Sequence, residues 1–132
     1  MPPHHRVNPP ELARPSGFSH AVVTDSTVYL AGQTALDAEG LIVGGGDVVV
    51  QFEQALTNLL TALRAAGGGP ADLVDLTVYI VDMDDYKSRS RDIGEVWRRL
   101  VGKDYPAMAG IGVARLWDEE ALIEVQGTAV LP

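Results

Sequence analysis

Residues 47–83, DVVVQFEQALTNLLTALRAAGGGPADLVDLTVYIVDM, change their hydrophobic period partway along, and that change decides the fold. In the first half Val49, Phe52, Leu56, Leu59, Leu60 and Leu63 recur mostly at intervals of three and four, one apolar stripe of an amphipathic helix. Asp47 stands where an N-cap carboxylate would receive the first free amides. Gly67-Gly68-Gly69-Pro70 stops the helix. From Asp72 the period becomes two. Leu76, Val78 and Ile80 fall on one side and Asp75, Thr77 and Tyr79 on the other, a strand with one face against a core.

The rest of the chain is arranged around this helix–strand pair. Upstream, prolines 2, 3, 9, 10 and 15 are expected to keep residues 1–15 as an extended arm without regular structure. Residues 16–132 are expected to form a single domain. AVVTD (21–25) and STVYLAGQT (26–34) read as strands about a turn at Asp25-Ser26, and LIVGG (41–45) as a short third strand after the turn Asp37-Ala38-Glu39-Gly40. Downstream, a second helix opens at Asp84-Asp85, carries the stripe Ile93, Val96, Trp97 and Leu100, and ends at Gly102. GIGVARLW (110–117) and ALIEVQGTAVL (121–131) then read as two strands joined by Asp118-Glu119-Glu120. This order predicts an α+β fold with two helices on one face of a mixed sheet. A single helical layer leaves the other sheet face bare. If that face is apolar or built of small residues, a partner chain must cover it.

Composition narrows the function classes. A chain of 132 residues that is 46% hydrophobic and 21% charged is an ordinary globular domain with room for a core. It has no cysteine, which removes disulfides, thiol catalysis and thiolate metal sites. No apolar run approaches the ~18 residues of a membrane span, and the N-terminus carries no signal-like stretch, so a cytoplasmic location is expected. The net charge of −8 argues against nucleic acid as a partner, since that affinity rests on neutralising phosphates. Arg89, Arg91, Arg98 and Arg99 alternate with Asp92 and Glu95 at helical spacing, as on a solvated helix face.

Motifs that would announce a cofactor are missing. The glycine triplets 44–46 and 67–69 lack the Gly-Lys-Ser/Thr of a phosphate loop, and no G-x-G-x-x-G occurs. His4 and His5 have no third ligand at suitable spacing. Asp82, Asp84 and Asp85 surround a helix start, where negative charge suits the dipole, so no metal is expected. Ser19 in Gly17-Phe18-Ser19-His20-Ala21 lacks the strand-to-helix turn of a nucleophile elbow. His20 is a lone imidazole where the arm meets the sheet, open to a structural or an acid–base reading. Gly110-x-Gly112 marks a bulge or a close backbone approach. Glu124, between Ile123 and Val125, is the sharpest candidate. Partly apolar surroundings would raise its pKa into the range of general acid–base work, whereas an outward-facing position beside Gln126 and Thr128 would leave it an ordinary surface group.

FSHAV (18–22), VYLAGQTALD (28–37), LTVYIVDMDDY (76–86), YPAMAGIGVARL (105–116) and IEVQGTAV (123–130) together resemble the RidA/YjgF family of reactive-intermediate deaminases, from about Gly17 to Val130. The resemblance implies a chorismate-mutase-like fold and a homotrimer with barrel-like packing of its sheets. It also implies clefts between subunits that hydrolyse enamines and imines, such as 2-aminoacrylate, without a cofactor. In those terms Glu124 matches the glutamate that positions water. Phe18 takes an aromatic cleft position that is usually tyrosine, and Gly32 the glycine whose backbone lines the cleft. Ser90 falls near a position often held by asparagine, and Gly110 matches a residue whose amide faces the ligand.

Met108 replaces the arginine that grips the substrate carboxylate. Such a contact, when desolvated, is worth about 2–4 kcal/mol, and methionine has neither donor nor charge to replace it. Arg115 lies further along the same segment, at a position that is not the clamp in the family. The resemblance therefore implies a small imine, enamine or related reactive metabolite rather than standard 2-aminoacrylate, with Glu124 handling water, His20 as an auxiliary base or donor, and Phe18 and Met108 as an apolar wall. A non-catalytic binding or interaction protein on the same scaffold is the alternative. Ribonuclease or translation-inhibitor activity is a weaker one, disfavoured by the acidic charge.

Overall fold

Regular structure begins where the prolines were expected to forbid it. The computed structural model describes residues 4–132, and His4–Val7 forms strand β1, paired antiparallel with β2 (Ala21–Thr24). This corrects the expectation of an arm without structure. The four residues fall between prolines, so no ladder bond is asked of a residue lacking an N–H. β2 turns back through Asp25, held at φ 52°, into β3 (Thr27–Gln33). Aspartate is one of the few residues that tolerate that left-handed conformation.

The central helix α1 (Val48–Ala65) follows its stripe. Asp47 Oδ1 accepts from the amides of Val49 at 2.9 Å and Val50 at 3.2 Å. Phe52, Leu56, Leu59, Leu60 and Leu63 are buried, while Val49 lies only partly covered at the margin. Gly67, at φ +98°, ends the helix, and the Gly68 amide bonds Leu63 O at 3.0 Å. β4 (Leu73–Ile80) places Leu76, Val78 and Ile80 in the core, as its period predicts.

Three expectations need adjustment. LIVGG forms no strand, only a single bridge between Leu36 and Ile42. The second helix is two, α2 (Met83–Ser88) and α3 (Ser90–Leu100), broken at Arg89, whose guanidinium lies 3.6 Å from Asp47 and 3.4 Å from Asp92. β5 is Ala107–Gly112, three residues earlier than the glycine pattern suggested, and the chain beyond Val113 leaves the sheet.

β6 (Ile123–Val130) completes a six-stranded sheet of order β1-β2-β3-β6-β4-β5. All neighbours are antiparallel except β4 and β5, which are parallel and joined by the crossover through α2 and α3. The helices cover one sheet face, with Ile93, Val96 and Trp97 of α3 joining the α1 stripe in a single core. The fold is thus α+β with a helical layer on a mixed sheet. The uncovered face is polar and aromatic over β3, β6 and β4, where Tyr29, Thr77, Tyr79, Glu124, Gln126 and Thr128 lie, and small or apolar along β5, where Ala107, Ala109 and Ile111 share it. Every residue of the edge strand β5 is exposed. Among the described residues no helix is long and apolar enough to cross a membrane.

Candidate functional site

The uncovered face is a grid of cross-strand rows, because residues paired across a sheet share a face. Glu124 of β6 lies opposite Tyr79 of β4, and Tyr79 opposite Ile111 of β5. On the other flank the β3–β6 ladder is interrupted between Leu30 and Gln33. At this bulge the Glu124 side chain lies over Gly32, so that a Cβ added there would stand 2.8 Å from Glu124 Cδ. Glycine is required by that approach. The first row therefore runs Glu124, Tyr79, Ile111, with Gly32 beneath the Glu124 side chain. The next holds Gln126, Thr77 and Ala109, and the third Tyr29, Thr128, Asp75 and Ala107.

Tyr79 leans along the strands, its hydroxyl donating to Gln126 Oε1 at 3.0 Å. A shallow depression over the second and third rows is lined by Tyr29, Asp75, Thr77, Gln126 and Thr128. Glu124 is half-buried, and loss of solvent pushes its pKa above the ordinary carboxylate value. A carboxylate so placed is a stronger base than a surface glutamate and releases its proton more readily near neutral pH than a fully buried one.

His20 is 3% exposed and both its ring nitrogens are engaged. The Gln33 Nε2–H donates to Nδ1 at 2.9 Å, which leaves the proton on Nε2 to donate to Ala13 O at 2.7 Å. Its backbone amide donates to Asn8 Oδ1 at 2.8 Å. The imidazole thus ties the N-terminal segment to the end of β3, and no nitrogen is left free for the auxiliary-base role. Phe18, half-exposed, packs edge-on against this ring at 5.2 Å.

Other candidates fall on the opposite side. Met108 pairs with Leu76 and Gly110 with Val78, both core residues, so both positions face the helical side of the sheet. Met108 is nonetheless 45% exposed, because β5 projects past the helices. Ser90 is the exposed first residue of α3, in the helical layer. A single chain therefore joins Gly32 with Glu124 and Phe18 with His20, and places Met108, Gly110 and Ser90 across the sheet from Glu124. Arg115 does not make good the missing cation. Its Nε donates to Leu116 O at 3.1 Å and its Nη2 to Trp117 O at 3.2 Å, bracing its own loop.

Sequence reasoning passed over Gln33, Ile111, Thr77, Tyr79 and Gln126 as site residues. The period-two pattern had already put Thr77 and Tyr79 off the core face. What it lacked was the register that sets Tyr79 and Ile111 beside Glu124.

Residues 10–131 match the family model described as Endoribonuclease L-PSP. The chain is 35% identical over 116 residues to a RutC family protein of Synechocystis, covering 87% of this chain and 86% of that one. It is 35% identical over 114 residues to the 2-iminobutanoate/2-iminopropanoate deaminase of the goat, Capra hircus, covering 86% and 79%. The solved structure of RidA from an Antarctic Psychrobacter superposes with a TM-score of 0.84 at 26% identity, covering 96% of this chain and 99% of that one.

Proposed function

Because the chain belongs to the Endoribonuclease L-PSP family, that of the RidA/YjgF proteins, we propose that it hydrolyses the carbon–nitrogen double bond of a small imine, in a cleft between subunits of a homotrimer. The observation that carries this reading is the half-buried Glu124 carboxylate lying over Gly32, its pKa raised by burial. As base, Glu124 takes a proton from water while the water oxygen bonds to the imine carbon. The nitrogen takes a proton from solvent and becomes the amine of a carbinolamine. The protonated Glu124 gives its proton to that nitrogen, ammonia leaves as the C–N bond breaks, and the hydroxyl proton returns to solvent as the carbonyl forms. An enamine substrate first takes a proton on carbon to become the imine. No redox partner is needed in this balance.

The opposed faces of Glu124 and Met108 support the placement between subunits, since only a second copy can bring a Met108 edge against a Glu124 face. Met108 in place of the arginine, with Arg115 bonded into its own loop, supports a substrate without a carboxylate. The test is ammonia release from freshly generated imines, comparing wild type with Glu124→Gln. Uncharged imines are expected to turn over faster than 2-aminoacrylate, and the variant to lose about 10²-fold or more. Equal background rates for the two proteins on every substrate would remove the proposal.

A second reading, a non-catalytic binder of the same class of metabolite, is favoured by the committed His20 ring. It predicts ligand-induced shifts at Tyr79 and Glu124 without ammonia release.

A further inference from the structure

We infer that Gln51, with Asn58, is a positioning residue of the Glu124 site: two buried amides of α1 clamp the chain segments that bring Glu124 and Gly32 together. This rests on the reading of Glu124 given above. Gln51 is completely buried in a helix stripe that is apolar apart from Asn58, a costly placement unless its amide is bonded. Both ends are. Nε2 donates to Glu120 O at 3.1 Å, and Oε1 accepts from the Leu122 amide at 2.8 Å. The amide acts on the backbone as a neighbouring strand would, just before β6 begins. Leu122 O in turn accepts from the Val81 amide at 3.1 Å, so that residue is held on both sides two positions ahead of Glu124.

Asn58 lies seven residues on, two helical turns along the same face. Its Nδ2 donates to Thr34 O at 3.1 Å and Leu36 O at 2.8 Å, and its Oδ1 accepts from Gln54 Nε2 at 2.8 Å. Thr34 is two residues beyond Gly32. One helix therefore fixes the lead into Glu124 with one amide and the exit from Gly32 with the other. A one-residue slip of β6 would carry the carboxylate to the wrong face of the sheet, and a slip of the segment after Gly32 would move the glycine from beneath it. An apolar side chain at position 51 would fill the same space but leave Glu120 O and the Leu122 amide without this partner, so the amide serves to hold those two residues.

The experiment titrates Glu124 by carboxyl-carbon NMR in the full chain, for wild type, Gln51→Met, Gln51→Glu and Val96→Ala. Both Gln51 variants are expected to bring the Glu124 pKa down toward the ordinary carboxylate value. Their kcat on the best imine should fall about ten- to a hundredfold with KM little changed, as for a misplaced group. Gln51→Met should also lose exchange protection at the Leu122 amide. Val96→Ala, a core truncation in α3, should keep the wild-type titration. Glu124 titrating as in wild type in a folded Gln51 variant overturns the inference. If Gln51→Met does not fold, Gln51→Glu decides, since its carboxyl keeps the shape and the acceptor for Leu122 and, once ionised, has no donor for Glu120. A wild type that turns over no imine would defeat the functional reading, while the titration would still decide the positioning.

Discussion

At the scale of single residues, one proton on Glu124 couples the stability of the chain to the turnover proposed for it. Burial raises its pKa in the folded chain above the value of about 4.3 that it has when unfolded. Between those two values the folded state holds a proton that the unfolded state releases, so stability falls as pH rises through that window. Glu124→Gln is therefore expected to melt higher than wild type at neutral pH, with the difference closing as pH falls below the ordinary carboxylate range; thermal melts at a series of pH values check this. Turnover has the opposite slope, its acid limb lying above the usual glutamate range. Gly32→Ala tests the geometry without touching the carboxylate. The nearest atoms to the added Cβ all belong to the Glu124 side chain, which can move, so the protein should fold with little loss and turn over imines at least tenfold more slowly. Met108→Arg supplies a donor fork at the position that the resemblance assigns to the carboxylate clamp. It should raise kcat/KM on 2-aminoacrylate by about tenfold or more relative to uncharged imines. No gain would mean that Met108 is not at the ligand.

At the scale of elements, β6 is pressed between β3 and β4, and one glycine permits it. A Cβ on Gly127 would lie 2.6 Å from the Asp75 carbonyl oxygen and 3.1 Å from Leu76 Cδ1. Gly127→Ala should spread β4 from β6 and lower stability by roughly 1–3 kcal/mol, measured by denaturant unfolding. Elements were legible in the sequence where a strong period met clear stops, as from Asp47 to Gly67 and from Leu73 to Ile80. β1 was not, because its four residues are too few to show a period and its neighbours are prolines. The break at Arg89 was hidden because Arg89 and its neighbours are all helix-compatible, and its ion pairs with Asp47 and Asp92 depend on tertiary placement. Glu124 could be singled out from its apolar flanks, but the bulge that sets it over Gly32 is a register shift, and no local pattern encodes that. The commitment of His20 to Gln33 and Ala13 likewise involves residues distant in sequence.

At the scale of the whole molecule, β5 is an edge strand exposed along its length, without the lysines or inward charges that usually blunt such an edge. That is the edge expected to meet a second copy, and light scattering at micromolar concentration should return three times the chain mass. Ile111→Lys, in the row of Glu124 and 44% exposed in the single chain, should shift the mass toward monomer and remove turnover together. A monomeric wild type would contradict both the assembly and a site between subunits. The strand order also has a consequence for how the molecule is made. β6 lies between β3 and β4 and leaves the ribosome after all of the other strands. Until then β1–β3 and β4–β5 are two separate ribbons, each with a raw inner edge and no carboxylate between them. A chain that ends before Ile123 lacks the strand that joins the two halves, so the step that closes the sheet is also the step that brings in the Glu124 carboxylate.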